Sequence, residues 1–179
     1  YGALTEACRR FLELCVKVKR NIVVAGGTGS GKTSLLNALS SFVPVAERVV
    51  VIEDSSEVQL QQPHVVYLEA RPPDPRGQGG VSIRDLLRAT LRMRPDRIVV
   101  GECRGGEALD LIQAMTSGHG GSLSTVHATY PHDTVHRLET LCLMSDVELP
   151  LSALRSQIAS AVNIIVQTSR MNDGSRKIT

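Results

Sequence analysis

The sequence predicts an α/β domain in which a mostly parallel central sheet is flanked by helices. Short aliphatic runs alternate with segments whose apolar residues recur at helical spacing, and helices between strands are the usual crossovers of parallel sheets. The 179 residues contain no Trp, three Tyr and two Phe, so aliphatic side chains must fill the core. This composition suits strands that are buried on both faces.

Each element rests on a local pattern. Leu4, Cys8 and Phe11 begin a helical repeat of apolar residues that leads into the first strand. Short aliphatic runs, interrupted by hydroxyl residues in 122–126, predict the buried strands. In chain order we predict a helix over 4–19, strands over 22–25, 48–53, 64–69, 97–101, 122–126 and 163–168, helices over 32–41, 82–92, 106–117, 132–144 and 151–161, and a last strand that includes Lys177, Ile178 and Thr179. Segment 71–80 has three prolines and three glycines and is expected to be a mobile or binding loop.

A glycine-rich loop joins the first predicted strand to the second helix. It fits G-x-x-x-x-G-K-[ST] between a buried strand and a helix, the context that gives the pattern meaning. Glycines let successive N–H groups converge on an anion, and the helix adds its positive amino terminus. The sequence therefore predicts a nucleoside triphosphate site formed by Gly26, Gly27, Thr28, Gly29, Ser30, Gly31, Lys32, Thr33 and Ser34. Lys32 is expected on the β- and γ-phosphates and Thr33 on Mg²⁺.

Acidic residues follow two of the predicted strands. Glu53 and Glu57 come at and after the end of strand 48–53, and Glu102 follows the aliphatic strand 97–101. Ligands bind along the carboxyl ends of parallel strands, so these acids are expected to face the glycine loop. Glu102 is the candidate base that activates water, with Glu57 as the alternative base. Many ATPases with this loop have a Mg²⁺-holding Asp at the position of Gly101, so we expect Thr33, Glu57 and Glu53 to hold the metal.

Two histidines bracket the predicted strand 122–126. His127 ends it on the edge expected to carry the site, where an imidazole could sense the γ-phosphate or its loss. His119 precedes the strand near the opposite edge and is less suited to contact the nucleotide. For both histidines, a packed polar residue without a catalytic role is the alternative.

Eight arginines and no lysine lie between positions 71 and 104. Arg84, Arg88 and Arg92 share one stripe of the predicted helix 82–92, and Arg104 lies two residues after Glu102. A solvated helix face is one interpretation. The other is that Arg84, Arg88 or Arg104 reaches a γ-phosphate in the same or a neighbouring subunit as an arginine finger.

Bulk properties exclude several protein classes. The formal net charge is +2, and exposed aromatic residues are expected to be few, so no nucleic-acid partner is expected. The four cysteines lack zinc-site spacing and are expected to be reduced, mostly buried thiols of a cytoplasmic protein. No apolar run reaches the roughly 20 residues that span a bilayer. Tyr1 starts almost at a helix and Thr179 stops within a predicted strand, which suggests a fragment of a longer protein.

Four motifs occur together in a fixed order. They are the glycine loop, the segment Ile52–Glu57, the segment Arg92–Arg104 and the segment Gly118–His127. In order and spacing they resemble the Walker A, Asp, Walker B and His boxes of the secretion ATPase superfamily, which serves type II and type IV secretion and type IV pili. Segments such as Leu68–Pro73, Arg137–Leu141 and Gln157–Val162 resemble the tight-adherence (Flp) pilus assembly branch.

The resemblance implies a fold, an activity and partners. Residues 1–179 would form the C-terminal RecA-like ATPase domain, with the N-terminal domain and the extreme C-terminus absent. Members of the family are hexamers that use Mg²⁺ and ATP to drive pilus assembly or secretion. The implied partners are further copies of the chain and an inner-membrane platform protein, at the cytoplasmic face of the membrane. A RecA-type nucleic-acid translocase or recombinase and a nucleotide-gated interaction module are the alternatives.

Overall fold

Thirteen helices and strands form the described part of the chain, residues 2–179, in the computed structural model. In chain order they are α1 (Glu6–Lys17), β1 (Ile22–Gly26), α2 (Lys32–Ser40), β2 (Val49–Glu53), β3 (Val65–Glu69), α3 (Ile83–Thr90), β4 (Arg97–Cys103), α4 (Glu107–Thr116), β5 (Leu123–His127), α5 (Pro131–Leu143), α6 (Leu151–Ala161), β6 (Ile164–Arg170) and β7 (Arg176–Ile178). The predicted α/β class and every predicted element are confirmed.

The strands form one sheet in the order β3-β2-β4-β5-β1-β6-β7. Strands β1 to β6 run parallel, and only β7 is antiparallel to its neighbour. All six parallel strands therefore begin at one edge of the sheet, here called the amino edge, and end at the other, here called the carboxyl edge. Ligands of open parallel sheets bind at the carboxyl edge.

Successive residues of each strand point to opposite faces, so the sheet has two cores. Val23, Val50 and Val100 pack on one face beneath α3 to α6. Ile22, Val24 and Val51 pack on the other beneath α1 and α2. Strands β1 and β2 are buried along their whole length. A sheet held on both faces places the loops at its carboxyl edge on a rigid base.

Observed boundaries differ from prediction mainly at the carboxyl edge. Strand β4 runs on through Glu102 and Cys103, with an irregular register to β5 between Val100 and Cys103, and β5 includes His127. A run of apolar residues predicts only the buried part of a strand. Backbone hydrogen bonding extends β4 and β5 beyond that part, so that they include polar residues at the carboxyl edge. Glu102 and His127 are therefore fixed by the sheet.

The irregular segment between β3 and α3 folds back on itself. Arg71 and Val81 form an isolated antiparallel bridge, and Arg71 Nε donates to the carbonyl of Gly79 at 2.8 Å. Asp74 Oδ1 accepts from the backbone N–H groups of Arg76 and Gln78. The segment is an ordered turn on the surface.

The cysteines and the helix lengths can also be compared with the sequence predictions. Three of the four cysteines are buried and the fourth, Cys8, is half-buried. Within 2–179, none of the helices has both the length and the apolar character needed to cross a bilayer.

Candidate nucleotide site

The glycine loop leaves β1 at the carboxyl edge and enters α2. Gly29 and Gly31 have φ of 68° and 97°, a region that side chains strain to adopt, so both turns need glycine. Gly31 is the N-cap of α2 and provides no side-chain hydrogen bond to the helix. The first N–H groups of α2 therefore keep no side-chain acceptor, which is the arrangement that binds anions.

Lys32 folds back over this loop. Its Nζ donates to the carbonyl oxygen of Gly27 at 3.1 Å. Burial lowers the pKa of Lys32, and the nearby charge of Glu102 opposes that shift. The ammonium group thus lies in a partly desolvated position, where an incoming anion would compensate for its lost hydration.

Thr33 and Glu57 come together across the loop. The Thr33 hydroxyl donates to Glu57 Oε2 at 3.3 Å. Two of the residues expected to hold Mg²⁺ are therefore in contact, although 24 positions separate them in sequence.

Glu53, the third expected metal ligand, is only 4% exposed. Its Oε1 accepts hydrogen bonds from the backbone N–H groups of Glu57, at 3.1 Å, and Val58, at 2.9 Å. Burial raises the pKa of the Glu53 carboxyl group, and these two hydrogen bonds partly counteract the rise. In this arrangement Glu53 anchors the segment that presents Glu57, and it also lines the cavity described below.

Gly101, on β4, occupies the position at which a metal-binding Asp is expected in many ATPases, and Glu53 leaves no room for a side chain there. A Cβ at this position would lie 2.8 Å from Cγ and 3.0 Å from Oε1 of Glu53. The side chain of Glu53 thus fills the space that an acid at position 101 would need. The hydroxyl of Thr125, on β5, donates a hydrogen bond to the Gly101 carbonyl at 2.7 Å.

Glu102 is paired with Arg104. Nε and Nη2 of Arg104 lie 2.7 Å from Oε2 of Glu102, while Nη1 contacts Asp54 Oδ2. The hydrogen bond to Glu102 is the main reason that the pKa of Arg104 is raised. Arg104 thus links the carboxyl ends of β2 and β4 and engages one oxygen of Glu102.

These groups surround a cavity of about 550 Å³ at the carboxyl edge. Lys32, Thr33, Glu57, Glu102 and His127 all line it. His127 is directly opposite Gly26 in the β1–β5 register. The following segment is held by Gln167 Nε2, which donates to the carbonyls of Ala128, at 3.2 Å, and Thr129, at 3.0 Å. The sheet thus brings the predicted glycine loop, acids and histidine to one place.

Arg137 also lines the cavity and is not among the residues predicted for the site. It lies on α5, ten positions after His127. Within 2–179 its guanidinium makes no ion pair, whereas that of Arg104 has two carboxylate partners. The one feature of the sequence that could have indicated Arg137 is its position in the first turns of α5, the helix that follows β5 at the carboxyl edge.

Other predicted residues lie away from the cavity. Arg84 pairs with Asp110 at 2.8 Å and with Asp146 at 2.6 Å, and Arg88 pairs with Asp110 at 3.3 Å. Neither arginine lines the cavity of its own chain. His119 lies before β5, as expected, where its carbonyl accepts from the Ser122 hydroxyl.

Residues 1–173 match the profile of the type II/IV secretion system protein family. The chain belongs to this family. Membership confirms the superfamily that the four boxes indicated, and the structure confirms the mostly parallel sheet that accompanies it.

Three known proteins show the degree of similarity. Type IV secretion system protein PtlH of Bordetella pertussis is 45% identical over 164 residues, covering 89% of this chain and 48% of PtlH. The structure of the VirB11 ATPase from the Brucella suis type IV secretion system, in complex with sulphate, matches with a TM-score of 0.86 at 36% identity, covering 97% of this chain and 52% of VirB11. The pilus retraction motor PilT with bound ADP matches with a TM-score of 0.70 at 26% identity, covering 99% of this chain and 51% of PilT.

The chain spans about half the length of the relatives it matches. The similar structures confirm the RecA-like P-loop architecture of the described half. The narrower expectation of the tight-adherence branch is not confirmed by these relatives, which include type IV secretion proteins and a pilus motor.

Proposed function

We propose that this chain is the ATP-hydrolysing motor domain of a protein that powers secretion or pilus assembly. One observation carries the proposal: the glycine loop, the Thr33–Glu57 pair and Glu102 converge on a single cavity at the carboxyl edge. The similar structures support the nucleotide, since VirB11 is described as an ATPase and PilT holds ADP.

ATP would place its phosphates against the loop. The N–H groups at the start of α2 lack a side-chain cap and would donate to phosphate oxygens, while the helix dipole favours their negative charge. Lys32 would exchange the Gly27 carbonyl for the β- and γ-phosphates. The exchange is favourable because a charge-assisted contact to phosphate replaces a contact to a neutral carbonyl.

Mg²⁺ fits the chemistry of this cavity. Four carboxylates line it against three cationic side chains, so the cavity has excess negative charge; the acids are Glu53, Asp54, Glu57 and Glu102. Thr33 and Glu57 supply hard oxygen donors and would hold the ion. Across 2–179 no three His, Cys, Asp or Glu side chains form a ready-made metal site, and Mg²⁺ commonly uses one or two protein ligands with phosphate oxygens and water. The bound ion would neutralise charge on the β- and γ-oxygens.

Glu102 would act as the general base. Arg104 engages its Oε2, which orients the carboxylate and leaves Oε1 to position a water molecule and accept its proton. The water oxygen forms a bond to the γ-phosphorus, the bond to the β,γ-bridging oxygen breaks, and ADP and phosphate are the products. Lys32 and Arg137 would face the charge that develops on the γ-phosphoryl oxygens.

Three predicted residues would serve other steps. His127 lies beside the loop and would report the state of the γ-phosphate to the rest of the subunit. Arg84 and Arg88 pair with Asp110 on α4 and do not line the cavity of their own chain, so they would act only on a nucleotide of a neighbouring subunit.

The whole protein would be larger than this chain. We propose that residues 1–179 are its C-terminal RecA-like domain, and that copies assemble into a homo-hexamer. The hexamer would lie at the cytoplasmic face of the inner membrane, against a platform protein of the secretion or pilus system.

Titration with a fluorescent ATP analogue tests the binding half of the proposal. The chain should bind the analogue saturably with Mg²⁺ and more weakly with EDTA, and unlabelled ATP should displace it. Phosphate release by the full-length protein, followed against substrate concentration, tests the catalytic half. Absence of saturable binding in both proteins would overturn the proposed function.

A further inference from the structure

Strand β6 contacts the glycine loop through one buried hydroxyl group. Thr168 is 5% exposed and is the register partner of Gly26. Its Oγ1 lies 2.8 Å from the hydroxyl of Ser30, which is 3% exposed, and 3.1 Å from the carbonyl oxygen of Ala25. Thr168 therefore contacts both the residue before the loop and a residue near its end.

Gly26 allows this close approach. A Cβ at position 26 would lie 2.3 Å from both the Ser30 and the Thr168 hydroxyl oxygens, and 2.6 Å from the Thr168 carbonyl. Gly26 has no positive φ, so backbone conformation does not explain the glycine. The requirement for glycine at the start of the loop comes from the close packing of the Ser30 and Thr168 hydroxyl groups and the Thr168 backbone carbonyl.

The Ser30 hydroxyl extends the contact to the functional lysine. Ser30 Oγ donates to the Gly27 carbonyl at 2.8 Å, and the Ser30 N–H approaches the same oxygen at 3.3 Å. Lys32 Nζ is a third donor to that oxygen, at 3.1 Å. A continuous path therefore runs from Thr168 through Ser30 and Gly27 to Lys32.

The path becomes important when a phosphate arrives. Lys32 must then leave the Gly27 carbonyl, which keeps only its donors from Ser30. If the Ser30 side chain were free to rotate, the carbonyl would lose its remaining strong donor, and the loop could turn it towards the phosphate. A carbonyl oxygen beside a phosphate is repulsive, so a fixed Ser30 favours binding.

We propose that Thr168 is a positioning residue for the glycine loop, and that it fixes the Ser30 hydroxyl so that Gly27 can release Lys32 to the nucleotide. This proposal rests on the proposed nucleotide site. Thr168 acts through Ser30 and touches no phosphate itself.

Removal and retention of the hydroxyl give the test. Thr168→Val removes Oγ1 and keeps the shape of the side chain, whereas Thr168→Ser keeps the hydroxyl and removes the methyl group. Ser169→Ala is the matched control on the same strand, since the Ser169 hydroxyl hydrogen-bonds to the Thr179 hydroxyl, away from the loop. The measurements are affinity for the Mg²⁺ complex of the fluorescent ATP analogue, melting temperature, and hydrogen exchange of the amides of residues 27–32 in the free chain.

Thr168→Val should bind the analogue roughly tenfold more weakly, the equivalent of one lost hydrogen bond, and its loop amides should exchange faster. Thr168→Ser and Ser169→Ala should stay within about twofold of the parent chain, below the tenfold effect of one hydrogen bond. If Thr168→Val does not fold, Ser30→Ala removes the other hydroxyl and should show the same loss. Where both variants fold, the double variant should bind no more weakly than either one alone.

Unchanged affinity in Thr168→Val together with a lower melting temperature would reduce Thr168 to a packing residue and overturn the proposal. Equal losses in Thr168→Ser and Thr168→Val would assign the effect to the methyl group and overturn it as well. If neither the parent chain nor the full-length protein binds the nucleotide, the proposed function fails. In that case the hydrogen exchange of the amides of residues 27–32 still tests whether the Thr168 hydroxyl stabilises the glycine loop.

Discussion

The two edges of the sheet both carry buried polar side chains, but they use them differently. At the amino edge Arg97 is fully buried, with Nε 2.5 Å from Glu47 Oε2 and Nη1 3.3 Å from the Gly121 carbonyl. Asn21 donates to the carbonyls of Ala161 and Met115 and accepts from the N–H groups of Gly121 and Ser122. These side chains join strand starts to loops, and neither Arg97 nor Asn21 lines the cavity at the carboxyl edge.

At the carboxyl edge the polar groups surround open space. Lys32, Glu57, Glu102 and Arg137 all line the 550 Å³ cavity, and the carboxyl edge also carries Arg104, which pairs with Glu102. Burial has lowered the pKa of Lys32. Charged groups beside a cavity can exchange their present partners for a ligand at low cost.

The difference shows that buried charge alone does not identify a functional site. Arg97 is the most completely buried arginine, yet its contacts are structural. Position beside a cavity is the better criterion, because Arg97 keeps one buried nitrogen without a partner but does not line the cavity at the carboxyl edge.

Lys32→Ala should weaken ATP binding roughly 100-fold or more, because Lys32 would contact both the β- and γ-phosphates and each hydrogen bond to a charged group contributes about 1.5–3 kcal/mol. Lys19→Ala is the matched control, since Lys19 lies at the amino edge and pairs with Glu47 at 3.4 Å. The Lys19→Ala variant should bind ATP with the same affinity as the parent chain. Titration of both variants with the fluorescent analogue, after circular dichroism has shown that they fold, gives the comparison. Equal losses in the two variants would contradict the assignment of the loop.

Glu102→Gln should reduce phosphate release by roughly 100-fold, with ATP affinity nearly unchanged, because the amide keeps the shape but cannot accept the proton. The measurement belongs in the full-length protein. Glu57→Gln separates the two candidate bases. If Glu102→Gln turns over within a few-fold of the parent while Glu57→Gln is inactive, Glu57 is the base.

Asn21→Leu should lower the free energy of unfolding by roughly 3 kcal/mol, because buried backbone groups at the amino edge lose their partners at a cost of about 1–3 kcal/mol each. Nucleotide affinity of the folded fraction should not change. Urea denaturation and analogue titration on the same preparation measure both quantities. A specific loss of affinity at full stability would show that the amino edge takes part in binding.

His127→Ala should leave ATP affinity within a few-fold and reduce turnover by roughly tenfold, since it removes one polar contact near the γ-phosphate. A packing role predicts the opposite pattern, a lower melting temperature with normal turnover per folded subunit. Melting temperature, affinity and phosphate release on one preparation of the full-length variant distinguish the two roles.

Local patterns were sufficient to predict the strands, the glycine loop and the acids at strand ends. Gly29, Gly31 and Lys32 act within one short segment, and Glu102 and His127 lie at the carboxyl ends of buried strands. The alternation of strands and helices predicts a parallel sheet, and the strands of a parallel sheet have their carboxyl ends at the same edge. These residues could therefore be placed together without further information. That part of the site could be predicted from sequence.

Contacts between distant segments could not be predicted in the same way. The pairing of Arg84 with Asp110 depends on how α3 packs on α4, and the entry of Arg137 into the cavity depends on the rotation of α5. Glu53 holds the backbone of residues 57 and 58 because the chain turns back after β2. Residue type and spacing do not encode these tertiary placements.

Amide chemical shifts of the chain, recorded during titration with Mg²⁺ and ADP, compare the two edges in one measurement. The proposed site predicts saturable shifts in residues 26–34, 53–58, 101–105 and 127–130, and none beyond experimental error around Lys19, Asn21, Glu47, Arg97 and Gly121. Shifts centred on the amino edge, or no saturable shifts at the carboxyl edge, would contradict the assignment of the nucleotide to the glycine loop.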